Sequence, residues 1–201
     1  MRGTDGGAGR VIAGTARGVR LMAPGDVTRP LSDRVKQTLF AILEPSLRGV
    51  AVLDLFAGSG AAGIEALSRG AAGACFVDRD SSAVKAIRGN LERAHLAGPD
   101  VQVVQRDVIG WLTSPDAHAN GPIGLAIVDP PYDQPELLIE TLAVLGGAAS
   151  PMQAQAVVVA KHFWRAQPPG RIGLLASERA RRFGDTALTF YRVAEPTEVP
   201  G

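Results

Sequence analysis

From residue 50 onward, short apolar runs alternate with amphipathic ones, and this alternation constrains the fold more than any other feature of the chain. Val50 to Leu55 reads as a buried strand, Ala61 to Arg69 as a helix closed by Gly70, and Ala74 to Val77 as the next strand. Ser81 to about Leu96 reads as a helix that ends before Gly98-Pro99. Val101 to Val104 is a third strand, Leu125 to Val128 a fourth, Leu137 to Leu145 a helix and Ala156 to Ala160 a fifth strand. Such a pattern predicts an α/β fold, a doubly wound Rossmann-like sheet. Ile172 to Ala176 and Thr186 to Val193 read as two more strands joined through the basic Arg179–Phe183 stretch. An antiparallel hairpin at one edge of the sheet accommodates them.

Upstream, Arg10-Val11-Ile12-Ala13 and Val19-Arg20-Leu21-Met22 flank a Gly14–Gly18 turn and predict a basic β-hairpin, too small to fold alone. Residues 1–9 are glycine-rich and expected to be disordered, and Pro24 to Pro30 reads as a loop. Ser32 is a candidate N-cap with Asp33 in the first turn; Val35, Leu39, Ile42 and Leu43 form a helical stripe that stops before Pro45. At 201 residues the chain suits one domain with a small appendage. The expected division is a flexible N-terminus and hairpin arm over 1–31, followed by a single α/β domain over 32–201.

Several function classes drop out early. Cys75 is the single cysteine, so neither a disulfide framework nor a cysteine zinc site can form; it reads as a small core residue. His95, His118 and His162 lack ligand spacing, so no metal is expected. No leader peptide and no apolar stretch of membrane-spanning length is visible, which makes a cytoplasmic protein the default; a monomer is the simplest expectation. The net charge of +1 conceals a division. Residues 1–40 carry +4, residues 41–160 carry −6 and residues 161–192 carry +5. If the two basic ends meet in space, they form a patch for a polyanion.

The glycine loop carries the first chemical signal. Gly58-x-Gly60-x-x-Gly63 follows the first strand and opens a helix, and Asp78 lies where a ribose-binding acid is expected, which points to a nucleoside-containing cofactor. Asp54 sits awkwardly for a pyrophosphate but suits a cation, such as the sulfonium and amino group of S-adenosyl-L-methionine (AdoMet). Asp107, after the third strand, is placed to meet an adenine amino group. Ends of adjacent parallel strands line one crevice, so Asp54, Asp78, Asp107 and Asp129 are expected on the same side.

Asp129-Pro130-Pro131-Tyr132 follows the fourth strand and carries the second signal. Two prolines stiffen the corner and remove two N–H donors, which leaves nearby carbonyls free to accept from a ligand. Asp129 offers an acceptor and Tyr132 a flat stacking face. Together they suit a planar molecule bearing an exocyclic amino group.

These motifs, with Ala66-Leu67-Ser68-Arg69-Gly70-Ala71, resemble the class I AdoMet-dependent methyltransferases. More narrowly, the chain resembles the RsmD family nearly end to end, through Arg10-Val11-Ile12-Ala13-Gly14, Arg17-Gly18, Arg29-Pro30, Asp33-Arg34-Val35, Thr38-Leu39-Phe40 and Arg182-Phe183-Gly184-Asp185-Thr186. Gln37 stands where that family often has Glu. The resemblance implies methylation of the exocyclic N2 of guanine 966 in 16S ribosomal RNA, in the small subunit or an assembly intermediate. It implies that Asp54, Phe56, Gly58 and Gly60 hold the methionine end of AdoMet, that Asp78 and Arg79 serve the ribose, and that Asp107 and Val108 serve the adenine. Asp129, Pro130, Pro131 and Tyr132 then hold the target base, while Arg10, Arg17, Arg20, Arg34 and Lys36 grip RNA phosphate. An adenine-N6 methyltransferase acting on DNA or RNA is the nearest rival, since the tetrapeptide serves any exocyclic amine. A nicotinamide dehydrogenase and a non-catalytic RNA-binding module are more distant ones.

Overall fold

The computed structural model describes residues 7–25, 32–119 and 121–194. The expected disorder of residues 1–6, the second half of the Pro24–Pro30 loop with Arg29-Pro30, and the tail from 195 lie outside the described residues.

Among the described residues, ten strands and five α-helices follow in chain order: β1 (Gly7–Arg10), β2 (Arg20–Met22), α1 (Asp33–Leu43), β3 (Ala51–Leu55), α2 (Ala61–Ser68), β4 (Gly73–Asp78), α3 (Ser81–Arg93), β5 (Val101–Gln105), α4 (Val108–Leu112), β6 (Ile123–Val128), α5 (Pro135–Leu145), β7 (Met152–Phe163), β8 (Arg171–Ile172), β9 (Leu175–Phe183) and β10 (Thr186–Val193). Eight of the strands form one sheet in the order β5-β4-β3-β6-β7-β10-β9-β8. The pairings from β5 through β7 are parallel. β10 runs antiparallel to both β7 and β9. The chain winds outward from β3 in one direction and from β6 in the other, so the switch point of the doubly wound sheet lies between those neighbours.

Side-chain alternation sorts the sheet into two cores. Val52, Leu125, Ile127, Val157, Val159, Leu188 and Phe190 pack beneath α1, α2 and α3. Leu53, Leu55, Ala126, Val128, Val158 and Tyr191 pack beneath α4 and α5, around the fully buried Trp111. By the same alternation Asp54 shares a face with Val52, and Lys161 with Val159.

The hairpin forms, but differs from the sequence expectation. Residues 7–9, expected to be disordered, belong to β1, which pairs antiparallel with β2. Ile12 and Ala13 leave the ladder because their N–H groups donate to the buried Glu65 carboxylate at 2.7 and 3.1 Å. Ser68 and Asn90 complete the docking, Ser68 Oγ accepting from Ala16 N–H at 2.9 Å and Asn90 Oδ1 from Met22 N–H at 2.8 Å. With Ala8, Val11 and Leu21 buried in the first core, the arm is bound to the domain along its length.

One further expectation is corrected. The basic Arg179–Phe183 stretch is itself strand β9, and the connection to β10 is the short Gly184-Asp185 turn. The expected antiparallel pair is present at one end of the sheet, β10 joining it to β7 and the two-residue β8 lying outside β9. α4, five residues long and capped by Asp107, had no legible periodicity.

Candidate active site

A cavity of about 920 Å³ opens over the switch point. It collects the C-terminal ends of β3, β4 and β6, the start of α4, the start of α1 and the β9–β10 turn. Asp54, Phe56, Gly58, Asp78, Arg79, Asp107 and Val108 line it, as do all four residues from Asp129 to Tyr132. Gly60 stands just behind this wall as the left-handed N-cap of α2, with φ of +73°.

On the β3 side, Asp54 is buried against α2 and accepts the Gly63 N–H at 2.8 Å. Close packing against β4 explains Gly63, because an added Cβ would stand 2.3 Å from the Phe76 ring. Burial pushes the Asp54 carboxyl up to about 8; the Gly63 N–H opposes the shift, while the nearby Asp129 and Asp78 add to it. Asp78, at the end of β4, accepts the Gly58 N–H on Oδ2 at 2.8 Å and the Asp80 N–H on Oδ1 at 2.9 Å. Gly58 has φ of +55° and open space where a Cβ would be, so a ligand can approach its backbone closely. Asp107 uses one oxygen to cap α4 through the Gly110 N–H at 2.9 Å.

On the β6 side, the Asp129 N–H donates to the Leu55 carbonyl at 3.2 Å, tying the two halves of the crevice together. The free-carbonyl expectation holds for one of the two prolines. Pro131 O accepts the Gln134 N–H at 3.2 Å, whereas among the described residues no donor reaches Pro130 O. Tyr132 is 39% exposed and its hydroxyl lies 2.8 Å from Thr186 Oγ1.

Sequence reasoning missed Lys161, at the far end of β7. Its ammonium lies 2.7 Å from each oxygen of Asp129 and 5.4 Å from the centroid of the Tyr132 ring. Burial alone would lower the Lys161 ammonium, but Asp129 and Tyr132 together outweigh it and hold the group above its ordinary range. Burial raises Asp129, and Lys161 pulls it back. The signal was present in sequence as parity, since Asp129 is two residues past Ile127 and Lys161 two past Val159, on a shared face. Recognising it required knowing that β6 and β7 are neighbours with Val128 opposite Ala160. Arg182, Asp185 and Thr186 were likewise unassigned, and the β9–β10 turn carries them into the cavity wall.

The five expected phosphate-binding residues separate in space. Arg17 and Arg20 are exposed on the arm, and exposed Arg34 lines the cavity rim. Arg10 is also exposed but pairs with Asp33 at 3.1 Å. Lys36 is fully buried, donating to the Arg10 carbonyl and lying 3.7 Å from Asp33, so its expected contact with RNA is withdrawn. Arg179, Arg181 and Arg182 on β9 are exposed and place positive charge near the β9–β10 turn. Among the described residues no group of His, Cys, Asp and Glu has the arrangement of a metal site, and no helix is long and apolar enough to cross a membrane.

Comparison with known proteins agrees with this architecture. The profile of the family described as conserved hypothetical protein 95 matches residues 9–192. YlbH of Bacillus subtilis, provisionally named an rRNA methyltransferase, is 35% identical over 184 residues, covering 91% of this chain and 98% of its own. Ribosomal RNA small subunit methyltransferase D of Escherichia coli K12 is 39% identical over 137 residues, covering 68% of this chain and 66% of its own. Among solved structures, yhhF of E. coli, provisionally described as a methyltransferase, superposes with a TM-score of 0.79 at 32% identity, covering 92% of this chain and 97% of that one. An RNA methyltransferase of Salinibacter ruber in complex with S-adenosyl-L-homocysteine shares the fold, with a TM-score of 0.63 at 16% identity over 86% of this chain and 100% of that one. On the profile match across residues 9–192 and the relatives aligned over most of its length, the chain belongs to the conserved hypothetical protein 95 family, the RsmD family of class I AdoMet-dependent methyltransferases.

Proposed function

We propose that this protein transfers the methyl group of AdoMet to the exocyclic N2 of guanine 966 in 16S ribosomal RNA, in the cytoplasm, acting on the small subunit or an assembly intermediate. The observation that carries the reading is one cavity holding two chemistries. Asp54, Gly58 and Asp78 stand on one side of the switch point, and the Asp129–Tyr132 corner stands on the other.

The donor set fits AdoMet. Asp54 is a buried carboxyl whose ionisation a cationic ligand would favour, Asp78 and Asp107 have acceptor capacity for ribose hydroxyls and an adenine amine, and Gly58 leaves its backbone open. Phe56, Arg79 and Val108 complete that wall. When bound, the cofactor supplies an electrophilic methyl group on a sulfonium.

The protein's part is positioning and electrostatics. A guanine amino nitrogen is a poor nucleophile because its lone pair is delocalised into the ring. Asp129 and the Pro130 carbonyl accept its two N–H bonds, aim the nitrogen into the cavity and favour its tetrahedral form. Pro131 holds the corner rigid. A stacked, paired base cannot reach this corner, so the target is single-stranded or flipped out, and Tyr132 replaces lost stacking worth about 1–3 kcal/mol. Arg17, Arg20 and Arg34, with Arg10 if it exchanges Asp33 for phosphate, guide the RNA backbone toward the rim.

Asp129→Ala is expected to abolish transfer while AdoMet binding stays nearly intact; equal loss of both in a calorimetric titration argues against this division of labour. The decisive assay supplies isotopically labelled AdoMet to small subunits lacking the modification and identifies the labelled nucleoside by mass spectrometry. Label in N2-methylguanosine at position 966 supports the reading. Label in N6-methyladenosine keeps the pocket and replaces the substrate.

A further inference from the structure

Lys161 spans the two functional ends of the Asp129–Tyr132 corner. Its Nζ is 2.7 Å from both Asp129 oxygens, and the Tyr132 ring centroid is 5.4 Å away. Tyr132 is itself tied to β10 through Thr186. The Lys161 side chain is 11% exposed and that of Asp129 is 24% exposed, so the pair is shielded yet open to the cavity.

We propose that Lys161 is a positioning residue for Asp129, holding its carboxylate ionised and in one orientation so that its unused lone pairs face the incoming exocyclic amine. The inference rests on the function proposed above. A carboxylate has about four acceptor sites, and Lys161 engages both oxygens while leaving further sites open. Asp129 otherwise stands in an environment hostile to charge. Burial favours its neutral form. A protonated Asp129 would present a hydroxyl donor where the amine needs acceptors. The other charged groups around this part of the cavity are Asp133 after the tetrapeptide, Asp185 and Arg182 at the β9–β10 turn, and Arg34 on α1. Neither arginine forms an ion pair with Asp129, so Lys161 supplies its direct countercharge among the described residues.

The test compares Lys161→Met, which keeps length and removes charge, with Lys161→Arg; Lys161→Gln replaces the first should it fail to fold. The Asp129 carboxyl is followed by carbon NMR across pH, its signal identified by its loss in Asp129→Asn. Neutral variants are expected to raise the Asp129 titration midpoint by at least one pH unit, and Lys161→Arg to restore it. An unchanged midpoint overturns the proposal. Where the protein methylates its RNA, the acid limb of the kcat profile should move upward by the same amount, with AdoMet affinity within twofold of the parent. A uniform fall in kcat without movement of that limb indicates packing alone and overturns it too. If the unmodified protein methylates no RNA, the functional reading fails, while the NMR titration still decides the role of Lys161.

Discussion

Gly58 and Asp78 are locked together, the backbone N–H of one donating at 2.8 Å to the carboxylate of the other. Asp78 thus braces the glycine loop as well as facing the cavity. Asp78→Ala removes both roles and leaves the Gly58 donor unmet, so AdoMet affinity should fall about 10–100-fold, corresponding to about 1–3 kcal/mol. Isothermal calorimetry reads the change, and undiminished affinity would rule out Asp78 as a cofactor contact.

The raised Asp54 carboxyl gives two pH effects of opposite sense. A cation binds best to the ionised carboxylate, so AdoMet affinity should rise with pH until about 8 and then level. Below that point binding should release protons, detected as a dependence of calorimetric heat on buffer ionisation enthalpy. Stability of the ligand-free protein runs the other way. Between about pH 4 and 8 the folded state keeps a proton on Asp54 that the unfolded chain has lost, so this group makes stability fall as pH rises. Asp54→Asn should flatten that part of the melting-temperature profile.

Glu65 holds the arm to the domain. Its carboxylate is fully buried, accepts Ile12 and Ala13 N–H, and pairs with Arg69 at 2.7 Å. Glu65→Ala strands two backbone donors and a guanidinium, and is expected to cost about 3–5 kcal/mol. Hydrogen exchange should accelerate first at residues 11–16. Gly14→Ala should unseat the same segment, because its Cβ would stand 1.8 Å from the Ser68 carbonyl oxygen at a φ of +86°.

The arginines of β9 are expected to offer a separable RNA contact. Arg179 and Arg181 are exposed and pair across to Leu188 and Phe190, on the α1–α3 side of the sheet. Replacing both with Glu should weaken small-subunit binding and reduce its salt dependence, leaving AdoMet affinity unchanged. Filter binding across a salt series checks this; an unaltered slope would place the RNA path elsewhere.

The central strands and helices were legible because their signals are local. Val52 to Leu55 is buried on both faces and lies in an apolar run interrupted only by Asp54, and Ser32 caps α1 through the Val35 N–H at 3.4 Å. β9 was obscure for the converse reason. From Ser177 to Arg182 it is exposed on both faces, so no alternation marked it, and its strand identity comes from pairing with β10. Lys36 misled because its charge is plain in sequence, while the Arg10 carbonyl and Asp33 that receive it are assembled by folding.

By itself, the sequence determined the alternation of elements, the glycine turn and the acids at the strand ends, all of which follow from side-chain period and backbone freedom over a few residues. Only the tertiary structure decided which strands are neighbours. Strand order and register are long-range pairings that no local pattern contains, and they alone bring Lys161 onto Asp129, 32 residues away.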